Sequence, residues 1–183
     1  MTVSLSKYYV SFVDIMFGVM IAESFTSFKN ELFNPGFDLA VLLVAYFTIM
    51  TSWLFYHRSV QVLPEEKWER FALDVAILFA YFILITTHKD FDIIVKAYPI
   101  LWVLYLLWDW LKAKEHKGKR VRVLWSVPYL FIFAGIALLH SWVTSVPQLI
   151  VSWASWMFPW TNWIELVALF ATILVYRIMQ PSP

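Results

Sequence analysis

Cysteine is absent from all 183 residues, which removes disulfides, thiolate metal ligands and a cysteine nucleophile from consideration. Glycine occurs only 4 times, too rarely for a phosphate-cradling loop, and the chain has no His-Glu-x-x-His or Gly-x-Ser-x-Gly arrangement. An enzyme reading has nothing to rest on, and no cofactor or metal is expected. Charge is scarce as well, at 15% of residues against about 25% in a soluble domain. The first residues, Met1 to Tyr9, lack a basic stretch leading into an uninterrupted apolar run, so no cleaved signal is expected.

What the chain has instead is apolar surface. Hydrophobic residues make up 61% of it, with 11 Trp, 9 Tyr and 16 Phe, and the mean hydropathy is +0.68. No water-soluble surface can be built from that composition, whereas aromatic rings suit the boundary between hydrocarbon and headgroups. A bilayer span needs about 20 mostly apolar residues, and six segments approach or meet that test: 8–25, 38–57, 71–88, 97–111, 121–140 and 161–179. Their length, and the absence of alternation, predict helix rather than strand. Turn and breaker residues separate them: Asn34-Pro35-Gly36, Pro64 and Lys117-Gly118-Lys119, with Pro99 just inside the short fourth segment. No internal repeat is visible. The expectation is an all-α membrane protein, a single domain over 1–183 with six transmembrane helices.

The basic residues fix an expected orientation. Lys7, Arg58, Lys67, Arg70, Lys112, Lys114, Lys117, Lys119, Arg120, Arg122 and Arg177 fall on the side of the termini, and only Lys29, Lys89 and Lys96 on the other. Cytoplasmic loops hold the basic excess, so both termini are expected in the cytoplasm. The basic stretch from Lys112 to Arg122 suits anionic lipid rather than nucleic acid. The uncharged stretch from Ser141 to Trp160, with Trp142, Trp153, Trp156 and Trp160, is expected to lie along the outer interface.

Ionisable side chains inside a span must face a partner or water. Asp109 and Glu165 read as interfacial, whereas Asp14, Glu23 and Asp74 fall deeper. Asp14 and Glu23 lie nine residues apart, about 13.5 Å along a helix and near opposite faces, so they cannot share one site. Val19, Ala22, Glu23 and Thr26 follow the i, i+3, i+4, i+7 spacing of a single stripe. That stripe is either a packing face or a wall turned to water. His88 and His140, at the outer ends of the third and fifth helices, read as boundary histidines reaching for water, with axial haem ligation as the alternative. His116 reads as a solvated charge.

Two short motifs resemble a family. Phe12-Val13-Asp14-Ile15-Met16-Phe17-Gly18-Val19 is similar to the first-helix signature of the transmembrane protein 175 family, the endolysosomal potassium channel and its bacterial homologues. Trp53-Leu54-Phe55-Tyr56-His57-Arg58 is similar to that family's second-helix motif, and Asp74 and Pro128 sit where its layout has a polar residue and a proline. The resemblance implies a homotetramer in a bacterial or archaeal plasma membrane, with first helices lining a pore for monovalent cations. Val19 would form the constriction, with Ala22, Glu23 and Thr26 further along. Asp14, Trp53 and His57 would form a polar network behind the pore helix. The departures are Val13 in place of the hallmark serine, Tyr8 in place of an upstream arginine and Ala22 in place of a pore threonine. They leave the ion open, with potassium one candidate. A non-conducting scaffold or accessory subunit that binds lipids or other chains is the competing expectation.

Overall fold

The computed structural model describes residues 5–33, 35–62, 67–115, 126–145 and 158–179. Among these there are six helices and no strand: α1 (Leu5–Leu32), α2 (Phe37–Val62), α3 (Trp68–Thr86), α4 (Phe91–Glu115), α5 (Val127–Ser145) and α6 (Phe158–Met179). α1, α2, α4, α5 and α6 are long and apolar enough to cross a membrane. α3 is the exception, because Glu69, Arg70 and Asp74 crowd its first two turns. Arg70 and Asp74 are nonetheless only 1% and 5% exposed, so their charges are turned toward protein.

Several helices outrun the apolar segments that announce them. α1 continues from Phe25 to Leu32, giving 28 residues. α4 starts at Phe91 rather than Ala97 and spans 25 residues, with Pro99 inside it. Asp90 makes that early start feasible: its carbonyl accepts the Ile94 amide at 3.1 Å and its carboxylate accepts the Ile93 amide at 3.3 Å, as an N-cap does. Lys96 and Asp92, one turn apart, pair at 2.6 Å, so both charges enter the helix together. α5 runs from Val127 to Ser145, and residues 121–125 of the expected fifth segment lie outside the described residues. Its first turn holds Pro128, where a missing amide breaks no helical bond, and the Ser126 carbonyl accepts the Leu130 amide at 3.2 Å.

Contacts between helices show that successive helices run in opposite directions. At the near end, where α1 begins and α6 finishes, Asp14 meets His57, Lys112 meets Ser59 and Tyr129 meets Met179. At the far end Glu31 meets Lys89, and Phe37 packs against Phe91 and Trp163. α1 packs on α2 and α3, α3 on α4, α4 on α5, α5 on α6, and α6 back on α2. The core is strongly aromatic. Trp102 is fully buried, its ring centroid 4.1 Å from Phe133 and 5.3 Å from Tyr176. With no hydrophobic drive between helices in lipid, such close packing has to supply much of the cohesion.

Candidate functional site

α1 has neighbours on one side only. At about 100° per residue, Val13, Phe17, Met20, Ser24 and Glu31 fall on its buried face, and Ser11, Ile15, Gly18, Val19, Ala22, Glu23 and Thr26 fall on its exposed one. The stripe read from spacing is therefore entirely on the outside: Val19 is 54% exposed, and Ala22, Glu23 and Thr26 are exposed beside it. The Thr26 hydroxyl donates to the Ala22 carbonyl at 3.4 Å. Glu23 makes no hydrogen bond or ion pair among the described residues. At Gly18 an added Cβ would meet nothing within 4 Å, so packing inside the subunit does not demand glycine there.

Asp14 lies on the flank of α1 that faces α2. Its Oδ1 accepts the Trp53 indole N–H at 3.2 Å and lies 2.7 Å from His57 Nε2. Trp53 and His57 are one turn apart on α2, so one helix face presents both groups to a single carboxylate. Asp14 and His57 side chains remain 39% and 31% exposed. The pair ties α1 to α2 without being sealed in the core.

A second polar region, which spacing analysis of α1 does not touch, runs inside the bundle between α2 and α4. These two helices run parallel, and hydroxyls on α2 meet α4 at successive levels. Thr48 bonds Tyr98 at 3.2 Å, Ser52 bonds Tyr105, and Ser59 accepts from the Lys112 ammonium. Tyr105 also bonds Tyr81 of α3 and accepts from Arg177 of α6 at 3.4 Å, while Arg177 donates to Ser52 as well. Trp108 has Arg70 4.9 Å from its ring and Lys112 5.1 Å from it. The signal for this seam was present as the seven-residue spacing of Tyr98, Tyr105 and Lys112, which places them on one side of α4.

Three ionisable residues are more buried than their sequence reading suggests. Glu165 is 3% exposed and its Oε2 lies 2.6 Å from His140 Nδ1. His140 and His88, expected to reach for water, are 4% and 6% exposed. His88 Nδ1 lies 2.7 Å from the Ile85 carbonyl, and Nε2 lies 3.6 Å from Glu31. Burial was possible because carboxylates stand at both rings. Asp109 is partly buried and accepts from Ser126 at 3.1 Å. Glu31 pairs with Lys89 at 2.8 Å, and that bond holds the Lys89 ammonium above its usual pKa. Among the described residues no group of three or more His, Cys, Asp or Glu could hold a metal ion. Residues 146–157 of the Trp-rich stretch and residues 116–125 of the basic stretch lie outside the described residues.

Together, the fold and its buried polar contacts define a class: an integral membrane protein built as an α-helical bundle. Comparisons with family models, with curated proteins and with solved structures find no match to this chain.

Proposed function

We propose that this protein is a homotetrameric cation channel of the plasma membrane of a bacterium or archaeon, potassium among its candidate ions, with both termini cytoplasmic. α1 lines the shared axis. Val19 forms an apolar constriction that passes water and ions only when it widens, and Ala22, Glu23 and Thr26 line the path beyond it. Asp14, Trp53 and His57 hold α1 from behind. The observation that carries this reading is Glu23, a carboxylate on the uncovered face of a span-length helix that makes no hydrogen bond or ion pair among the described residues. A carboxylate at that depth needs water or a neighbouring subunit, and an axis shared by four copies supplies both. The motifs of α1 and α2 support the same assignment. A scaffold reading has no comparable observation behind it.

Purified protein in liposomes is expected to pass monovalent cations, with Val19→Asn raising the flux by hydrating the constriction. The natural absence of cysteine adds a direct check: Val19→Cys should cross-link between subunits on oxidation. Silence of both the wild type and Val19→Asn, with Val19→Cys remaining monomeric, discards the channel.

A further inference from the structure

We propose that His140 is a proton-binding clasp at the far end of the bundle: it holds α5 to α6 through Glu165 in either charge state, and takes hold of α4 through Asp92 only when protonated. The inference does not rest on conduction. α5 packs against α4 and α6, and each presents a carboxylate to the same imidazole. From α6, Glu165 Oε2 lies 2.6 Å from Nδ1. From α4, Asp92 Oδ1 lies 3.6 Å from Nε2, outside hydrogen-bond range, and Asp92 is engaged at 2.6 Å by Lys96 of its own helix. His140 is the one histidine of α5, and its ring stands edge-on to Phe91 at 5.5 Å.

The two ring nitrogens thus have unequal tasks. A neutral ring carries one proton, and where that ring donates to an ionised Glu165 across the 2.6 Å contact the proton sits on Nδ1. Nε2 is then an acceptor pointed toward a carboxylate, which is also only an acceptor. Among the described residues the buried Nε2 makes no hydrogen bond, and neither does the buried Oε1 of Glu165. A second proton turns Nε2 into a donor and gives the ring a charge flanked by two carboxylates. Closing the 3.6 Å gap to a hydrogen bond requires less than about 1 Å of movement, which Asp92 makes by loosening its exposed bond to Lys96. Asp92 is 47% exposed, so the site reaches the surface of the subunit and a proton needs no internal cavity to enter.

The test is histidine-selective nitrogen-15 NMR on the full chain in detergent, with His140 assigned by the signal missing from His140→Gln. Should that variant fail to fold, variants of His57, His88 and His116 assign it by elimination. As the buffer is acidified, His140 is expected to pass from the Nδ1–H tautomer to the doubly protonated ring. The thermal midpoint should rise over the same transition. Asp92→Asn, which leaves the Glu165 contact in place, should lose that rise, and Glu165→Gln should lower the midpoint at both ends. A His140 ring that keeps one form throughout, or an Asp92→Asn protein with the wild-type pH response, overturns the proposal.

Discussion

Replacing Glu23 by leucine tests the environment of α1 through the energetics of assembly. Glu23 lies three residues past the middle of the Tyr8–Leu32 span, about 4.5 Å along the helix axis. In an isolated subunit that position exposes a carboxylate to lipid, at roughly 2.5–3.5 kcal/mol on the insertion scale, and no partner among the described residues offsets it. In the proposed tetramer, assembly around a hydrated axis relieves the penalty in every subunit. Mutual repulsion subtracts part of the gain: two carboxylates about 8 Å apart in water repel by about 0.5 kcal/mol. The net drive for association from this one side chain is therefore about 2 kcal/mol per subunit, a factor of about 30 in the equilibrium.

Glu23→Leu removes that drive and extends the apolar constriction. Subunits carrying single dyes, diluted into increasing amounts of lipid, report the association equilibrium by energy transfer or by counting bleaching steps. The leucine variant is expected to dissociate at roughly thirtyfold lower lipid dilution per subunit and to carry less cation flux. An association constant that is unchanged or higher, with flux intact, would show that Glu23 never leaves lipid, and the assignment of α1 to a shared axis would fall with it.

Two further substitutions probe opposite sides of the subunit. Gly18→Ala, whose new Cβ meets nothing within 4 Å in its own chain, should stabilise a lone subunit by up to about 1 kcal/mol through helix propensity, yet weaken association where another α1 packs close; a gain in both readouts places Gly18 against lipid. Tyr105→Phe deletes the hydroxyl that Ser52, Tyr81 and Arg177 all approach and should cost about 1–3 kcal/mol in detergent unfolding. A loss below about 0.5 kcal/mol, within the range of an inconsequential surface change, would mean that the seam rearranges around it.

The helices themselves were legible because twenty apolar residues in a row leave the backbone one way to satisfy its hydrogen bonds. Their ends were not, because charged residues enter when they carry their own partner, as Asp92 does with Lys96. Spacing alone placed Val19, Ala22, Glu23 and Thr26 on one stripe, and the family motifs named Asp14, Trp53 and His57 as a group; both depend on intervals of three or four residues within one helix. Glu165 and His140 each read as boundary residues, and their pairing escaped notice for the opposite reason. They lie 25 residues apart on different helices, and a carboxylate near the end of a span gives no sign of whether it will meet water or an imidazole. The α2–α4 seam could have been found from the repeat of Tyr98, Tyr105 and Lys112, but aromatic and long side chains at that spacing read equally well as interface anchors.

The polar residues of this chain divide by where they point, and the division bears on where water could pass. The outward faces of α5 and α6 are apolar along their middles, with Phe131, Leu138, Ile164, Val167 and Leu174 exposed; these are faces suited to acyl chains. The α2–α4 seam is polar but packed, its Thr48 and Ser52 turned to tyrosines beside a fully buried Trp102. Hydroxyls satisfied in that way stiffen a bundle, and they offer an ion no replacement for its hydration shell. Among the described residues, the outward face of α1 carries a carboxylate and a hydroxyl, Glu23 and Thr26, near the middle of its span. A membrane protein retains such groups against lipid at a cost repeated in every copy. On the channel proposal, the aqueous route lies between subunits, at the surface that α1 leaves uncovered, rather than through the middle of any one of them.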